Sequence, residues 1–416
     1  MPKHSADRAR QMTGSQKGRR RRVLLMLALA ELMAMAVWFS ASAVVPALTL
    51  VWELDGAGQA WLTMSVQVGF VLGALGFAFL NLADRIPARR LFAVCALLGA
   101  FWTGLIPALQ PAFSIAVLLR LLTGVCLAGV YPVGMKIMAT WTRRRRGLGI
   151  GLLVGALTLG SGFPHLLKLF GESSDWQSVL YLAAATAAGG GLLTFLFVDE
   201  GPYRAQSPPF DWRYAGRILR QRDILLVNLG YLGHMWELYA MWTWVPVFLL
   251  ESFAVRGVDP SWASAAGFAI IAVGGAGCLF AGWLADHVGR TVVIGGSLLV
   301  SGGCALLAGR LFGADPVVLT ALCLVWGFAV VADSAQFSAA VSELCQPEYV
   351  GTALTLQTSL GFLLTMVTIR LVPLVVEHES WGLAFAILAF GPMAGIWAMG
   401  SLRRQPTARQ LAGGRG

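Results

Sequence analysis

Eight ionisable residues stand inside otherwise apolar stretches of this chain: Glu31, Arg120, Lys136, His165, His234, Glu237, Asp333 and Arg370. A charge amid hydrocarbon costs at least about 2.5–3.5 kcal/mol on insertion scales, so each needs a reason to be there. Two explanations compete: a proton relay or solute path, and static pairs or side chains that snorkel to the surface. The segment NLGYLGHMWELYAMWTW, residues 228–244, is the most informative. In it Tyr231, His234, Glu237, Met241 and Trp244 recur every three or four residues and so share one helical face. His234 and Glu237, one turn apart, form a pair able to exchange a proton near neutral pH. Glu31 shares a face with Met35, Trp38 and Ser42, a lining of mixed polarity. The cations Arg120, Lys136 and Arg370 suit an anionic solute, although Lys136, seven residues before Arg143, can also snorkel. Asp333, with Gln336 one turn later, either joins the relay or compensates a cation; Gln67 and Gln357 are neutral groups able to orient a solute. The expectation is substrate contact by Trp38, Arg120, Lys136, Tyr231, His234, Gln357 and Arg370. Proton coupling is expected at Glu31, His234, Glu237 and Asp333.

The elements that position these groups follow from composition. The 416 residues are 57% hydrophobic and only 12% charged, with mean hydropathy +0.70. A soluble domain carries about 25% charged residues, so soluble enzyme folds are excluded. Twelve stretches have the roughly 20 apolar residues that a membrane crossing needs. They are 23–45, 60–82, 91–108, 113–138, 148–170, 177–198, 224–250, 262–284, 291–312, 316–340, 352–376 and 381–402. Barrel strands would read as short alternating segments, so the fold is an all-α membrane protein of twelve spans. The net charge of +10 reflects topology, not nucleic-acid binding. With the N-terminus in the cytoplasm, 25 of the 31 Lys and Arg fall in cytoplasmic segments. Three fall outside (Lys168, Arg256, Arg310), which is the positive-inside pattern of a multi-pass inner-membrane protein with both termini cytoplasmic. Arg19–Arg22 and Arg143–Arg146 read as anchors on lipid headgroups. The six cysteines form no C-x-x-C pair, and neither an H-E-x-x-H site nor a phosphate-binding G-x-x-x-x-G-K-[ST] loop occurs. No metal, cofactor or nucleotide is expected.

The chain divides into a basic tail (1–22), a six-span half (23–198), a polar linker (199–223), a second half (224–402) and a tail (403–416). The second half repeats the first: Leu82-Ala83-Asp84-Arg85 follows span 2, and Leu284-Ala285-Asp286-His287 follows span 8. At these loops the chain resembles the major facilitator superfamily, whose signature is approximately G-x-L-A-D-R-x-G-R-[RK]. The second copy matches through Gly282, Leu284, Ala285, Asp286, Gly289 and Arg290. The first matches at Leu82, Ala83, Asp84, Arg85 and Arg89, with Leu80 and Pro87 in place of the family glycines. Arg120 and Gly124 fit the family's R-x-x-x-G motif in span 4. The resemblance implies two six-helix pseudo-repeats that rock about a central site in a monomer, with Asp84, Arg85, Arg89, Asp286 and Arg290 as gating residues. Within the family the chain is broadly similar to the nitrate/nitrite and cyanate porter-like bacterial subgroup through span 4 and its WTRRRRG exit. It lacks that group's Asn-containing glycine signature in spans 5 and 11 and its arginines in spans 2 and 8. The Gly-Pro pair of the antiporter signature is absent from span 5. The function expected is proton-coupled uptake of a small anionic solute by alternating access. Proton-driven efflux of an amphipathic compound is the alternative, and a non-transporting receptor the next.

Overall fold

The computed structural model describes residues 14–142, 146–168, 175–203, 216, 220–346 and 349–416, without the side chains of 14–17, 83, 84 and 146–148. Arg143–Arg145, the Arg146 side chain and most of the linker therefore lie outside the described residues.

Hydropathy decides where helices form, and the helices stand where the apolar stretches do. Ten are long and apolar enough to cross a membrane, from Gly56–Phe79 to Trp381–Arg403. Two more, more heavily interrupted by polar groups, complete the twelve. The first helix, Gly14–Met35, opens with a basic run and resumes after a break as Ser40–Ala43 and Val45–Trp52; the seventh, Arg222–Ala254, carries His234, Glu237 and Glu251. The described residues contain no strand. Of the helices that start at the end opposite the basic one, all but span 4 are capped by side chains. Asp55 accepts from the Gly58 amide (2.7 Å), Asp259 from Ser261 (2.8 Å) and Asp315 from Val317 (2.9 Å). The Ser261 hydrogen bonds also hold the Asp259 carboxyl below the usual carboxylate range.

Spans 1–6 and 7–12 form two bundles. They meet where span 5 (Arg146–Leu167) packs on span 8 (Pro260–Val288), and where span 2 (Gly56–Phe79) packs on span 11 (Val350–His378). Three helix interruptions place the functional groups. Span 1 breaks over 36–39, span 4 between Phe113–Leu127 and Tyr131–Trp141, and span 10 at Asp333, between Pro316–Ala332 and Ser334–Leu344. A break frees backbone carbonyls that hydrocarbon cannot satisfy, so each is tolerated only inside protein.

The last residues depart from the expected separate tail. A 3₁₀ turn over Pro406–Gly413 folds back on the second half and buries Leu411. Its Ala412 amide donates to Glu343 Oε2 (3.1 Å), and Arg415 Nη1 donates to the Asp286 carbonyl (2.6 Å). Gly289 permits this approach: it sits at φ +100°, and a Cβ there would lie 2.4 Å from the Gly416 carbonyl oxygen.

Candidate solute cavity

Between the halves lies a cavity of about 1760 Å³ that opens at the end carrying Arg19, the span 2–3 loop and Arg290. Its deep walls are aromatic: Trp38, Phe70, Tyr239, Trp242 and Phe362, with Tyr131 and Tyr231 nearer the mouth. Lys136 also lines it. Charged residues in the described wall are Arg19, Arg85, Arg89, Arg90, Lys136 and Arg290 against Asp199, Glu200 and Glu343, an excess that favours anions.

Beyond the deep end the two halves seal against each other. Trp38 packs on Tyr239 and Phe362 with centroids 6.0 and 5.4 Å apart, Phe70 on Phe362 at 4.7 Å and Phe39 on Trp242 at 5.8 Å. Thr365 Oγ1 donates to Gln67 Oε1 across the seam at 2.5 Å. At the mouth, the ion pairs Arg19–Asp199 (2.7 Å), Arg89–Asp199 (3.1 Å) and Arg290–Glu343 (2.6 Å) each stay within one half. Gln336 also accepts from Arg290, at 2.7 Å. Of the expected gating residues, Arg85, Arg89 and Arg290 line the mouth, and Asp286 is exposed beside the docked tail. The Asp84 side chain lies outside the described residues.

The buried charges fall into two groups. Arg120 is fully buried and does not line the cavity, against the expectation of a solute contact. Its guanidinium closes the break in span 1, donating to the carbonyls of Val37 (2.7 Å) and Trp38, to Ser40 Oγ (3.2 Å) and to Leu62 O (3.3 Å). Gln357 is likewise removed from the cavity, with its amide donating to Asn228 Oδ1 at 3.0 Å. Arg370 lies past the seal, half-buried, eight residues beyond Phe362 on span 11.

The expected His234–Glu237 pair is not formed. Glu237 accepts from Trp326 Nε1 (2.7 Å) and Ser301 Oγ (2.9 Å), inside the second half. His234 Nδ1 instead lies 2.8 Å from Asp333 Oδ1, with both residues 1% exposed. That contact has ion-pair distance without hydrogen-bond alignment, and among the described residues no other partner reaches either side chain's polar atoms. Asp333 stands at the span 10 break yet caps nothing. The physical reason for the changed pairing is rotation about the span 7 axis. The stripe facing the cavity is Tyr231, Met235, Leu238, Tyr239 and Trp242, while His234, Glu237, Met241 and Trp244 turn into the second half. Trp244, for instance, donates to the Ile369 carbonyl at 3.0 Å.

Glu31 is fully buried, and among the described residues neither carboxylate oxygen has a hydrogen-bond partner. It faces Gly134 in span 4, where a Cβ would come within 2.6 Å of Oε2. Of the Glu31–Ser42 face only Trp38 reaches the cavity, because Ser42 bonds Thr63 at 2.6 Å. Residues missed by periodicity are the deep aromatics Phe70, Tyr239, Trp242 and Phe362. The i, i+3 spacing of Tyr239 and Trp242 was their one visible signal.

Known proteins share this architecture. A bacterial homologue of the human lysosomal transporter Spinster superposes with TM-score 0.63 at 17% identity, covering 92% of this chain and 95% of that one. The nucleoside transporter NupG gives 0.67 at 17%, covering 91% and 99%. In sequence, the niacin transporter NiaP of Acinetobacter baylyi is 24% identical over 315 residues, 66% of this chain and 68% of that protein. Solute carrier family 22 member 7 of Sus scrofa is 32% identical over 154 residues, 36% of this chain but only 26% of its own length. The probable anion transporter 7 of Oryza sativa is 28% identical over 157 residues, 36% of this chain and 34% of that one. The model of the Major Facilitator Superfamily matches residues 27–369, across both halves and the cavity between them, and the chain is a transporter of that superfamily.

Proposed function

We propose that this transporter carries a small organic anion with a planar, apolar body across the bacterial inner membrane, in symport with protons. The observation that carries the reading is the cavity wall: stacked aromatic rings at depth and Lys136 on the path to them. Rings offer a flat apolar body dispersion and edge contacts, and an ammonium selects the negative head. Relatives named for niacin and for anions support the same class. The positive-inside rule puts the basic mouth in the cytoplasm with both termini, so the cavity is open inward and sealed outward. Alternating access then requires the aromatic seal and the Gln67–Thr365 bond to part while the mouth closes, in a monomer whose halves move as units.

Proton coupling is assigned to His234–Asp333, with Glu31 as the corresponding buried acid of the first half. A buried carboxylate and imidazole in contact without aligned bonds can gain or lose a proton with little rearrangement. His234, expected to touch solute as well, is kept here for coupling alone, because it lies behind the cavity wall. The size of the cavity favours a second reading, efflux of a larger amphipathic compound.

Reconstituted vesicles separate the two. An inward proton gradient should drive accumulation of aromatic monocarboxylates well above equilibrium, and counterflow should persist without the gradient. Accumulation that ignores the gradient removes the coupling, and gradient-driven exit of lipophilic compounds with no acid uptake favours efflux.

A further inference from the structure

Among the described residues, two buried indoles lack an acceptor for their N–H: Trp38 and Trp242, each 1% exposed. Six other tryptophans donate theirs to an oxygen. Trp52 donates to Pro111 O, Trp141 to Asp199 O, Trp236 to Ile387 O, Trp244 to Ile369 O, Trp326 to Glu237 and Trp381 to Glu251, all at 2.7–3.1 Å. The two exceptions both come from residues of the deep wall, and their nitrogens are closed over by the rings of the seal, so they can meet an acceptor only as that seal parts. An indole nitrogen is a donor only, so nothing but an acceptor can satisfy it. Phe39, Phe70 and Phe362, which pack on these rings, have none to give.

The pair is also built as a site. Trp38 comes from the first half and Trp242 from the second, and Tyr239 lies between them, with centroids 6.0 and 5.4 Å away. Trp38 sits in the span 1 break, and Arg120 holds its carbonyl and that of Val37. Its ring is therefore fixed through the backbone by a guanidinium with no free role in the cavity. Trp242 is carried on the unbroken helix Arg222–Ala254.

We propose that Trp38 and Trp242 form an acceptor-reading subsite at the deep end of the cavity. Resting on the organic-anion reading above, it narrows the substrate class to planar acids carrying a second, uncharged hydrogen-bond acceptor on the ring. Lys136 takes the carboxylate and the indoles take the second acceptor. A ligand held this way touches both halves at once, which links recognition to the seal that must open and close. A site built to hydrogen-bond a group discriminates against analogues that lack it, because its buried donors are then left bare.

The test uses the purified full chain, with benzoate and pyridine-3-carboxylate as titrants; the two differ by one ring nitrogen. Wild type should bind the pyridine acid about five- to tenfold more tightly, the worth of one good neutral hydrogen bond. Trp38→Phe and Trp242→Phe keep an aromatic wall and remove the donor. Each should bring that ratio down toward one whatever the altered wall does to benzoate itself, and a melting temperature in detergent close to that of wild type reports an intact fold. Lys136→Gln should weaken both acids and preserve the ratio. A wild-type ratio near one, or variants that leave the ratio intact or weaken both acids alike, overturns the subsite. If wild type binds neither acid, the organic-anion reading fails first and the subsite falls with it.

Discussion

Arg120 in the first half and the His234–Asp333 contact in the second are both ionisable groups sealed from water, and they are bonded differently. Arg120 meets four oxygen acceptors, three of them backbone carbonyls around the span 1 break. His234 and Asp333 meet chiefly each other, in a contact that is close but unaligned. The carboxylates divide the same way: Glu237 is bonded by Trp326 and Ser301, whereas Glu31 has no hydrogen-bond partner among the described residues. A buried charge with its bonds filled holds a shape, and one with bonds left open is available to change its proton or its partner. The contrast is the basis of the proposed division between scaffold groups and coupling groups among the intramembrane ionisable residues.

The largest effect should follow from breaking the filled site. Arg120→Leu takes the guanidinium from the carbonyls of Val37, Trp38 and Leu62, leaving Val37 only the Ser40 hydroxyl, and stability should drop by on the order of 3–5 kcal/mol. Thermal unfolding in detergent would register this as a large fall in melting temperature, and Arg120→Lys should recover only part of it, because an ammonium cannot span that fork of acceptors. A variant as stable as wild type would dissolve the distinction.

Next in size is the open site. Asp333→Asn should reduce gradient-driven accumulation at least about tenfold, while counterflow stays within about twofold of wild type. Equal loss of both would mark Asp333 as another scaffold group. Lys136→Gln should weaken acid binding by roughly tenfold, as expected for one charge-assisted hydrogen bond, and spare neutral aromatic amides of the same shape. Calorimetric titration of the two ligand types decides it. The smallest effect is expected at Glu31→Gln, with stability within about 1 kcal/mol of wild type, since no bond is lost. A strongly destabilised variant would show that Glu31 has a structural partner after all.

Much of this architecture is legible in the sequence. Twelve apolar stretches, the repeated Leu-Ala-Asp loops and the basic asymmetry gave the architecture directly, because hydrocarbon imposes length and backbone satisfaction on every crossing. The azimuth of a helix was not readable. Periodicity grouped Tyr231, His234, Glu237 and Trp244 on one face, but a step of one residue turns a helix by about 100°, and only neighbours decide which stripe meets the cavity. Of that group only Tyr231 lines the cavity, beside Met235, Leu238, Tyr239 and Trp242. Arg120 was misplaced for another reason: its partners are carbonyls released by a helix break, and no side-chain pattern announces them. Asp333 was visible as an intramembrane acid, yet its approach to His234 joins residues 99 positions apart that no local spacing connects.

Proton movement on solute addition is the most direct test of the division between open and filled charges. In vesicles loaded with a pH-sensitive dye, an aromatic monocarboxylate added to wild type should move protons with it. Asp333→Asn should carry the acid in exchange with no proton signal, and Glu237→Gln should retain both. The reverse pattern, a signal that survives Asp333→Asn and vanishes in Glu237→Gln, would contradict the account.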